Sequence, residues 1–292
     1  MKSVMPTWTE RYLDRIGMNV EAPSLDYLTR LIRARLSALA FENISKMYYF
    51  RRYAANGWYI PDAATHAEHM HTLDFGGLCH SGNGHFRNLL AMLGFDCYNV
   101  AVGESRVPEK NGHLGTIVRL DGRQLYVDVA VGIPTDSSVD IVGEGHFDVC
   151  GSRAHLYPDA LDPSVYHMDT DTGGSHERWI MNPHHPVTLA AVDGEIVLSN
   201  TPGRVFTSIL CCKMWQPERR RILTLINRSL SIHDADGRVE KRKLGTIAEI
   251  EDVLRSEYGM PRLPVREAVE VLRQFGVDVL AGTPHREMQG RA

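Results

Sequence analysis

An Asp-Gly pair at positions 121 and 122 joins two runs of alternating residues in "HLGTIVRLDGRQLYVDVAV". An Asp-Gly pair in this setting is typical of a two-residue β-hairpin turn, which also sets the register of its strands. With Leu120 opposite Arg123, counting along the strands makes His113 and Asp128 diagonal neighbours on one face. Such neighbours lie roughly 7 Å apart at Cβ, which an imidazole and a carboxylate can span. The hairpin therefore predicts a histidine–carboxylate pair.

The alternation turns Asp128 away from the neighbouring valines Val127 and Val129, which belong to the predicted core face. A carboxylate on a central strand is costly unless it has a partner, and His113 can supply one. A second interpretation stays open, in which Asp128 caps a neighbouring loop and His113 is an ordinary strand residue at the surface.

A cysteine follows a Gly-Gly pair and precedes a predicted helix in "DFGGLCHSGNGHF". Glycines 76 and 77 permit a sharp turn, and Cys79 then falls at a helix N-terminus, a position that lowers the pKa of a thiol. A histidine held by a carboxylate is the base that such a nucleophile needs. The alternative is a buried, unreactive thiol, because free cysteine often behaves as a small hydrophobe.

Composition excludes several function classes. The chain has 292 residues, 43% of them hydrophobic and 23% charged, and its formal net charge is −4 with Lys and Arg spread out. These values are ordinary for a globular protein and predict no nucleic-acid partner. No apolar run reaches the ~20 residues of a membrane span, and the start lacks a signal-peptide core, so we expect a cytoplasmic location. The five cysteines include no CxxC pair and are expected to be reduced.

The order of predicted elements indicates an α+β fold. Residues 1–94 are expected to form a helical bundle that carries the cysteine, with Ser24 capping one helix. Residues 95–200 are expected to form an antiparallel sheet or barrel, with Asp193-Gly194 as a hairpin turn and 156–176 as a long loop. Residues 201–292 are expected to add a smaller unit, with a strand pair around Asp236-Gly237 and helices at 247–258 and 265–275.

Several segments resemble, in order and spacing, the arylamine N-acetyltransferase family. The similarity runs from about residue 12 to residue 260, and the segments are "FENI" at 41–44, "GGLC" followed by Asn83 and Phe86, "LLAMLGF", "GHLGTIVRLDGRQLYVDV" and "NTPGRVF". The resemblance implies an N-terminal helical bundle, a central β-barrel and a C-terminal α/β lid, with a cysteine-protease-like arrangement. The family's catalytic cysteine, histidine and aspartate fall on Cys79, His113 and Asp128.

The resemblance also implies the reaction and its participants. Cys79 would accept an acyl group from acetyl-CoA or another acyl-CoA and pass it to an amine in a ping-pong reaction. CoA would be a cosubstrate, and no cofactor or metal would be bound permanently. The partners would be an amine and an acyl thioester, with an acyl carrier protein as a further candidate. Candidate substrate residues are Val131, Gly132 and Phe206, and candidate CoA-binding residues are Gly112 and Lys213.

Three positions depart from the family pattern. Phe75 replaces the usual arginine before the Gly-Gly pair, so Glu42 of "FENI" is expected to lack its ionic partner. Ser81 replaces the Glu or Gln that commonly follows the cysteine by two residues. Val131 replaces an aromatic residue of the acceptor pocket, which predicts a wider pocket and a preference for bulkier amines or larger acyl groups.

Three alternatives stay open. One branch of the family closes or releases polyketide chains as amides, and this chain is a candidate amide synthase of that kind. A second alternative is a non-catalytic binding protein on the same scaffold. A third is a metal site in "THAEHMH", where His66, His69 and His71 lie close to His80 and His85, although no acidic or cysteine ligand has the usual spacing.

Overall fold

The computed structural model describes residues 5–281, apart from positions 54, 56–59, 131–136, 142–143 and 173–175. Its N-terminal part is helical, as predicted. Ser24 caps the second helix by accepting a hydrogen bond from the Tyr27 N–H at 3.1 Å, and Gly94, with φ +90°, follows the fifth helix. The elements are α1 (Thr7–Ile16), α2 (Leu25–Ala38), β1 (Phe41–Glu42), α3 (Ile44–Tyr53), α4 (Ala63–Thr72) and α5 (Cys79–Met92).

The middle of the chain forms an eight-stranded antiparallel sheet in the order β5-β4-β3-β2-β9-β8-β7-β6. Its end strands β5 and β6 come together, so the sheet is a nearly closed barrel. Leu120 pairs with Arg123, which is the register that the Asp-Gly turn predicts. The strands are β2 (Asp96–Gly103), β3 (His113–Leu120), β4 (Arg123–Val127), β5 (Val139–Asp140), β6 (Gly145–Val149), β7 (Ser152–Pro158), β8 (Tyr166–Thr172) and β9 (His176–Met181).

The predicted loop over 156–176 is wrong, because β7 and β8 occupy much of this stretch. Tyr166, Met168 and Thr170 point inward and are buried. The intervening polar side chains occupy the outer face, where Asp169 pairs with Arg178 at 2.6 Å. Polar and short residues at alternate positions are typical of one face of an antiparallel strand, and they conceal its apolar face in the sequence.

The predicted hairpin turn at Asp193-Gly194 is also wrong, because these residues begin helix α6 (Asp193–Ser199). Val192 and Ile196 lie one helical turn apart, and both are buried in an apolar cluster with Leu114. This burial on the barrel selects a helix from a segment whose residues favour a strand, since tertiary contacts override weak local preferences.

The C-terminal part contains more strands than the predicted pair. Strand β10 lies between β1 and β11, so the five-stranded sheet has the order β1-β10-β11-β12-β13. The two C-terminal helices are close to their predicted positions. These elements are α7 (Val205–Ser208), β10 (Cys211–Gln216), β11 (Arg221–Ile226), β12 (Ser229–Asp234), β13 (Val239–Lys243), α8 (Ile247–Ser256) and α9 (Val265–Gln274).

The main apolar core is shared by the helical part, one face of β3 and β4, and the C-terminal sheet and helices. The division of the chain at residues 94 and 200 therefore stays a prediction. Among the described residues, no helix combines the length and apolar character that a membrane crossing requires.

Candidate active site

A sharp turn presents Cys79 as the first residue of α5. Gly77 has φ +77°, a left-handed conformation that glycine adopts without strain. A Cβ added at Gly76 would lie 1.9 Å from the Ala40 carbonyl oxygen, so only glycine fits there. The chain therefore needs both glycines to place the cysteine at the helix N-terminus, where backbone N–H groups favour a thiolate.

The carboxylate of Glu42 holds this turn. Its Oε1 accepts hydrogen bonds from the N–H groups of Gly76 at 3.2 Å and Gly77 at 2.8 Å. Its Oε2 accepts the Ser45 N–H at 2.8 Å. Burial raises the pKa of Glu42, and these backbone hydrogen bonds oppose that rise. Among the residues that the structure describes, Glu42 has no ion-pair partner, which agrees with the loss of the family's arginine at Phe75.

A different arginine supports the turn. Arg35 of α2 is fully buried, and its Nη2 donates to the Gly76 carbonyl oxygen at 2.7 Å. Its other donors reach the Leu39 carbonyl oxygen at 2.9 Å and the Tyr12 hydroxyl at 3.2 Å. Arg35 was not predicted as a site residue, although an arginine within the apolar stripe of a helix is a detectable signal, since such a residue is rarely buried without dedicated partners.

The structure brings the three predicted residues together. His113 is the first residue of β3, and its Nε2 lies 2.6 Å from Asp128 Oδ2. The ring of His113 also interacts electrostatically with the Cys79 sulfur. The Cys79 side chain is 8% exposed, and its Sγ lies 3.7 Å from the Gly112 carbonyl oxygen. Because Nε2 faces Asp128, Nδ1 is the ring nitrogen left to exchange a proton with the thiol.

The carboxylate of Asp128 has further partners that fix its position. The Tyr126 hydroxyl donates to Oδ2 at 2.8 Å, and Asn83 Nδ2 donates to Oδ1 at 2.7 Å. The Ala130 N–H also reaches Oδ1, at 3.1 Å. Tyr126 was not predicted, but it lies two residues before Asp128 on a strand, and this spacing places both side chains on one face.

The electrostatics of the site favour a thiolate–imidazolium pair. Burial alone would raise the pKa of Cys79, but the neighbouring rings of His80 and His113 hold that pKa well below its usual range. Burial alone would lower the pKa of His113, but Asp128 and the Cys79 thiolate raise it to about 10. These interactions favour the ionised form of the sulfur.

A pocket with about 590 Å³ of empty space, partly open to solvent, lies beside Cys79. Gly112 and Phe206, two of the predicted binding residues, are part of its wall. The Phe206 ring is fixed by an edge-to-face contact with Phe41 at 5.4 Å between centroids. The residues that line the pocket are Ser45, Lys46, Tyr49, Ile60, Leu78, Cys79, His80, Ser81, Gly112, Ile196, Ser199, Asn200 and Phe206.

The remaining predicted binding residues are not placed in this pocket. Lys213 lies on β10 opposite Phe41 and does not line the pocket, so its role in CoA binding stays a prediction. Val131 and Gly132 lie outside the described residues, and the wider acceptor pocket expected from Val131 stays a prediction too.

The histidine-rich helix α4 does not gather metal ligands. His66 is buried against the ring of His85, at 4.4 Å between centroids. His69 Nδ1 bonds the Tyr49 hydroxyl at 2.7 Å, and His71 Nε2 lies 2.7 Å from the Arg11 carbonyl oxygen. Across the described ranges, three possible ligands converge in one place, and these are Glu144, His146 and His155.

One family model matches part of the chain. A family model described as N-acetyltransferase matches residues 24–146, a stretch that contains Cys79, His113 and Asp128. This stretch of the chain is therefore similar to N-acetyltransferases. No curated protein sequence matches it.

Solved structures of arylamine N-acetyltransferases share the fold over nearly the whole chain. The enzyme from Salmonella typhimurium superposes with a TM-score of 0.76 at 17% identity, covering 93% of this chain and 100% of its own. The enzyme from Mycobacterium marinum in complex with CoA gives 0.74 at 21% identity, with 91% and 98% covered. The enzyme from Nocardia farcinica gives 0.73 at 21% identity, with 94% and 95% covered.

Proposed function

We propose that this protein transfers an acetyl or other acyl group from a CoA thioester through Cys79 to an amine. The observation that carries the proposal is the Cys79–His113–Asp128 arrangement, whose sulfur opens onto a pocket and whose His113–Asp128 contact is 2.6 Å. A lowered thiol pKa at a helix N-terminus is the property that a cysteine nucleophile requires.

In the first half-reaction, the Cys79 thiolate attacks the carbonyl carbon of the acyl thioester. The carbon–sulfur bond to CoA then breaks, and the departing CoA sulfur takes the proton held by His113. The oxyanion formed during attack lies near the start of α5, where the Cys79 N–H is a candidate donor. The products are an acyl-Cys79 thioester, free CoA thiol and neutral His113.

In the second half-reaction, the amine attacks the acyl carbon of this thioester. His113 accepts a proton from the amine nitrogen, and the bond from the acyl carbon to Cys79 Sγ breaks. An amide leaves, and the thiolate–imidazolium pair is restored. Asp128 fixes the His113 ring and stabilises its charge in both steps.

Mass spectrometry of the intact protein after mixing with acetyl-CoA tests the proposal. We expect one acetyl group on Cys79, released CoA, and loss of the acetyl group when an arylamine is added. The Cys79→Ala variant should give neither the adduct nor CoA. Unchanged CoA release by this variant would contradict the proposed nucleophile.

The amide-synthase and binding-protein alternatives make different predictions in the same experiment. An amide synthase that uses a carrier-bound acyl chain would be acylated by acyl-pantetheine thioesters but poorly by acetyl-CoA. A binding protein would form no covalent adduct with any thioester. The complete set of hydrogen bonds around Asp128 favours a catalyst, because a binding site does not need a histidine in one fixed orientation.

A further inference from the structure

The outer face of the barrel carries two histidines directly opposite each other. His146 of β6 and His155 of β7 are register partners, and their rings stack with centroids 4.2 Å apart and an angle of 9° between their planes. Both rings have Nε2 near the carboxylate of Glu144, the residue before β6. Glu144 Oε2 lies 3.3 Å from His155 Nε2 and 3.8 Å from His146 Nε2. Two imidazoles and one carboxylate therefore converge at one point of the surface.

The spacing of these three groups is close to that of ligands around a transition metal ion. A tetrahedral zinc ion with bonds of about 2.0–2.2 Å holds its ligand atoms roughly 3.3–3.6 Å apart. The contact between His155 and Glu144 already has this length, and one ligand atom from each of the three residues lies within 4.8 Å of the others. Glu144 and His146 are exposed and His155 is half-buried, so small rotations of the side chains can bring these atoms around one ion.

The ring of His155 has a second aromatic neighbour that limits its motion. Tyr157 of the same strand packs against it, with 4.7 Å between centroids and 33° between the planes. The Tyr157 hydroxyl is itself fixed, because it donates a hydrogen bond to Asp169 Oδ2 at 3.0 Å. A ligand side chain that is ordered in advance loses less conformational freedom when the ion binds.

The charges around the three residues favour a cation. In the described part of the chain, the ionic partners of Glu144 are the two histidines. The neighbouring carboxylate, Asp169, lies opposite His155 on β8 and is already paired with Arg178 at 2.6 Å. With both imidazoles neutral, Glu144, His146 and His155 together carry a net charge of −1, which attracts a divalent cation.

We infer that Glu144, His146 and His155 bind one divalent transition metal ion of the zinc class. Imidazole ligands suit Zn²⁺, whereas Ca²⁺ and Mg²⁺ prefer oxygen ligands throughout. Three protein ligands leave a position of the tetrahedron for water. Strand β6 ends the eight-stranded sheet where the barrel nearly closes, so the ion stabilises this edge by linking the residue before β6 to β7. The inference is independent of the proposed acyl transfer.

Calorimetric titration with Zn²⁺ tests the inference. The full chain is used with Cys79→Ala, because a cysteine thiolate is itself a zinc ligand. We expect one ion to bind per chain. The further double substitution His146→Gln and His155→Gln should abolish this binding. Glu144→Gln should weaken it by at least about tenfold, the loss that even an outer partner of a metal ligand typically causes.

The control replaces two other exposed histidines by glutamine, His184 and His185. His185 also contacts a carboxylate, with Nε2 2.8 Å from Glu109 Oε1, so the control removes a similar pairing elsewhere on the surface. It should bind zinc as the Cys79→Ala chain does. Urea unfolding gives a second readout, because an ion that binds the folded state stabilises it. Zn²⁺ should raise the urea midpoint of the control more than that of the variant without His146 and His155.

Three results would overturn the inference. One is a Cys79→Ala chain that takes up no zinc, and another is zinc binding that persists unchanged without His146 and His155. The third is equal affinity for Ca²⁺ and Zn²⁺, because the carboxylate alone would then account for the binding. The three substituted side chains lie outside the buried core, so the variants should fold and each result can be read.

Discussion

Arg35 donates a hydrogen bond to the carbonyl oxygen of Gly76 at 2.7 Å, across a separation of 41 positions in the chain. The same turn is held from its other side by Glu42, which accepts the N–H groups of Gly76 and Gly77. One side chain thus satisfies a carbonyl group of the turn and the other satisfies its N–H groups. Support of this kind makes an ionic partner for Glu42 unnecessary.

Replacing Arg35 by methionine should strongly destabilise the protein. The change leaves the buried carbonyl oxygens of Gly76 and Leu39 without this donor, and each unsatisfied group costs about 1–3 kcal/mol. We expect the free energy of unfolding in urea to fall by about 3 kcal/mol or more. Arg33→Met is the matched control, since Arg33 is exposed on the same helix, and it should change stability by less than about 0.5 kcal/mol. Equal effects of the two variants would contradict the supporting role.

Cys79 should be alkylated by iodoacetamide at pH 6, whereas the other cysteines should react slowly. Its pKa is held well below the usual range, so the thiolate is present at this pH. Burial raises the pKa of Cys97 and of Cys211 to about 11, and burial also raises the pKa of Cys150 and of Cys212. Peptide mapping by mass spectrometry after brief alkylation identifies the modified residue.

The pH dependence of that reaction gives an independent check. The Cys79 thiolate is lost only as the pH falls through its low pKa, so the alkylation rate should change little between pH 6 and pH 8. An ordinary thiol would lose about tenfold in rate per pH unit below its pKa of about 8.5. A tenfold loss per unit in this range would show that Cys79 is not activated.

Asp128→Asn should lower the rate of Cys79 acylation by several orders of magnitude, while the fold is retained. The amide can donate a hydrogen bond to His113 Nε2, which stabilises the wrong tautomer, and it removes the charge that raises the His113 pKa. The same change in a serine-protease triad lowers the rate about 10⁴-fold. Stopped-flow release of CoA measures the step. The control Asp96→Asn, at an exposed position of β2, should leave the acylation rate nearly unchanged. If Asp128→Asn lowers that rate by only a few-fold, Asp128 has a structural role only.

The protein should lose stability as the pH falls from about 6.5 to about 4, partly because of His85. Burial lowers the pKa of His85 from 6.5 to about 4. Between these pH values the unfolded chain binds a proton at His85 and the folded chain does not. The contribution of neutral His85 to the free energy of unfolding is therefore fully present above pH 6.5. This contribution is lost as the pH falls to about 4, and it amounts to about 3 kcal/mol.

The variant His85→Phe keeps a ring beside His66 and removes the titrating group. Denaturant unfolding at pH 7 and pH 4.5 should show a smaller loss of stability in this variant than in the parent. His71→Phe, on the more exposed side of α4, should leave the loss unchanged. A variant that loses as much stability as the parent would mean that other groups control the acid response.

The parts of the site that could be predicted are those with short-range signals. The turn at Asp121-Gly122 sets a strand register by local geometry, and the register brings His113 and Asp128 to one face. Helix α5 follows the Gly76-Gly77 turn and is followed by Gly94, so the position of Cys79 at its N-terminus follows from local sequence.

The remaining parts depend on contacts between distant segments. Arg35 and Gly76 meet only because α2 packs behind the turn. Lys46 and Ser199 are in contact although 153 positions separate them in the sequence. Helix α6 forms where Ile196 can be buried on the barrel. Residue patterns alone carry little information about which distant segments come into contact, even where one partner, such as Arg35, has a recognisable position in its own helix.

The two-residue strand β1 has a consequence for exchanging parts between related proteins. Its Glu42 holds the cysteine turn, and the same residue pairs in the sheet with Cys212 of β10. The next residue, Asn43, accepts the Cys211 N–H at 2.8 Å. A chimera with a foreign C-terminal third would therefore misplace Cys79, in addition to changing the pocket wall at Phe206. We expect inactivating changes in β10 to appear as poor acylation of Cys79, with substrate affinity largely retained.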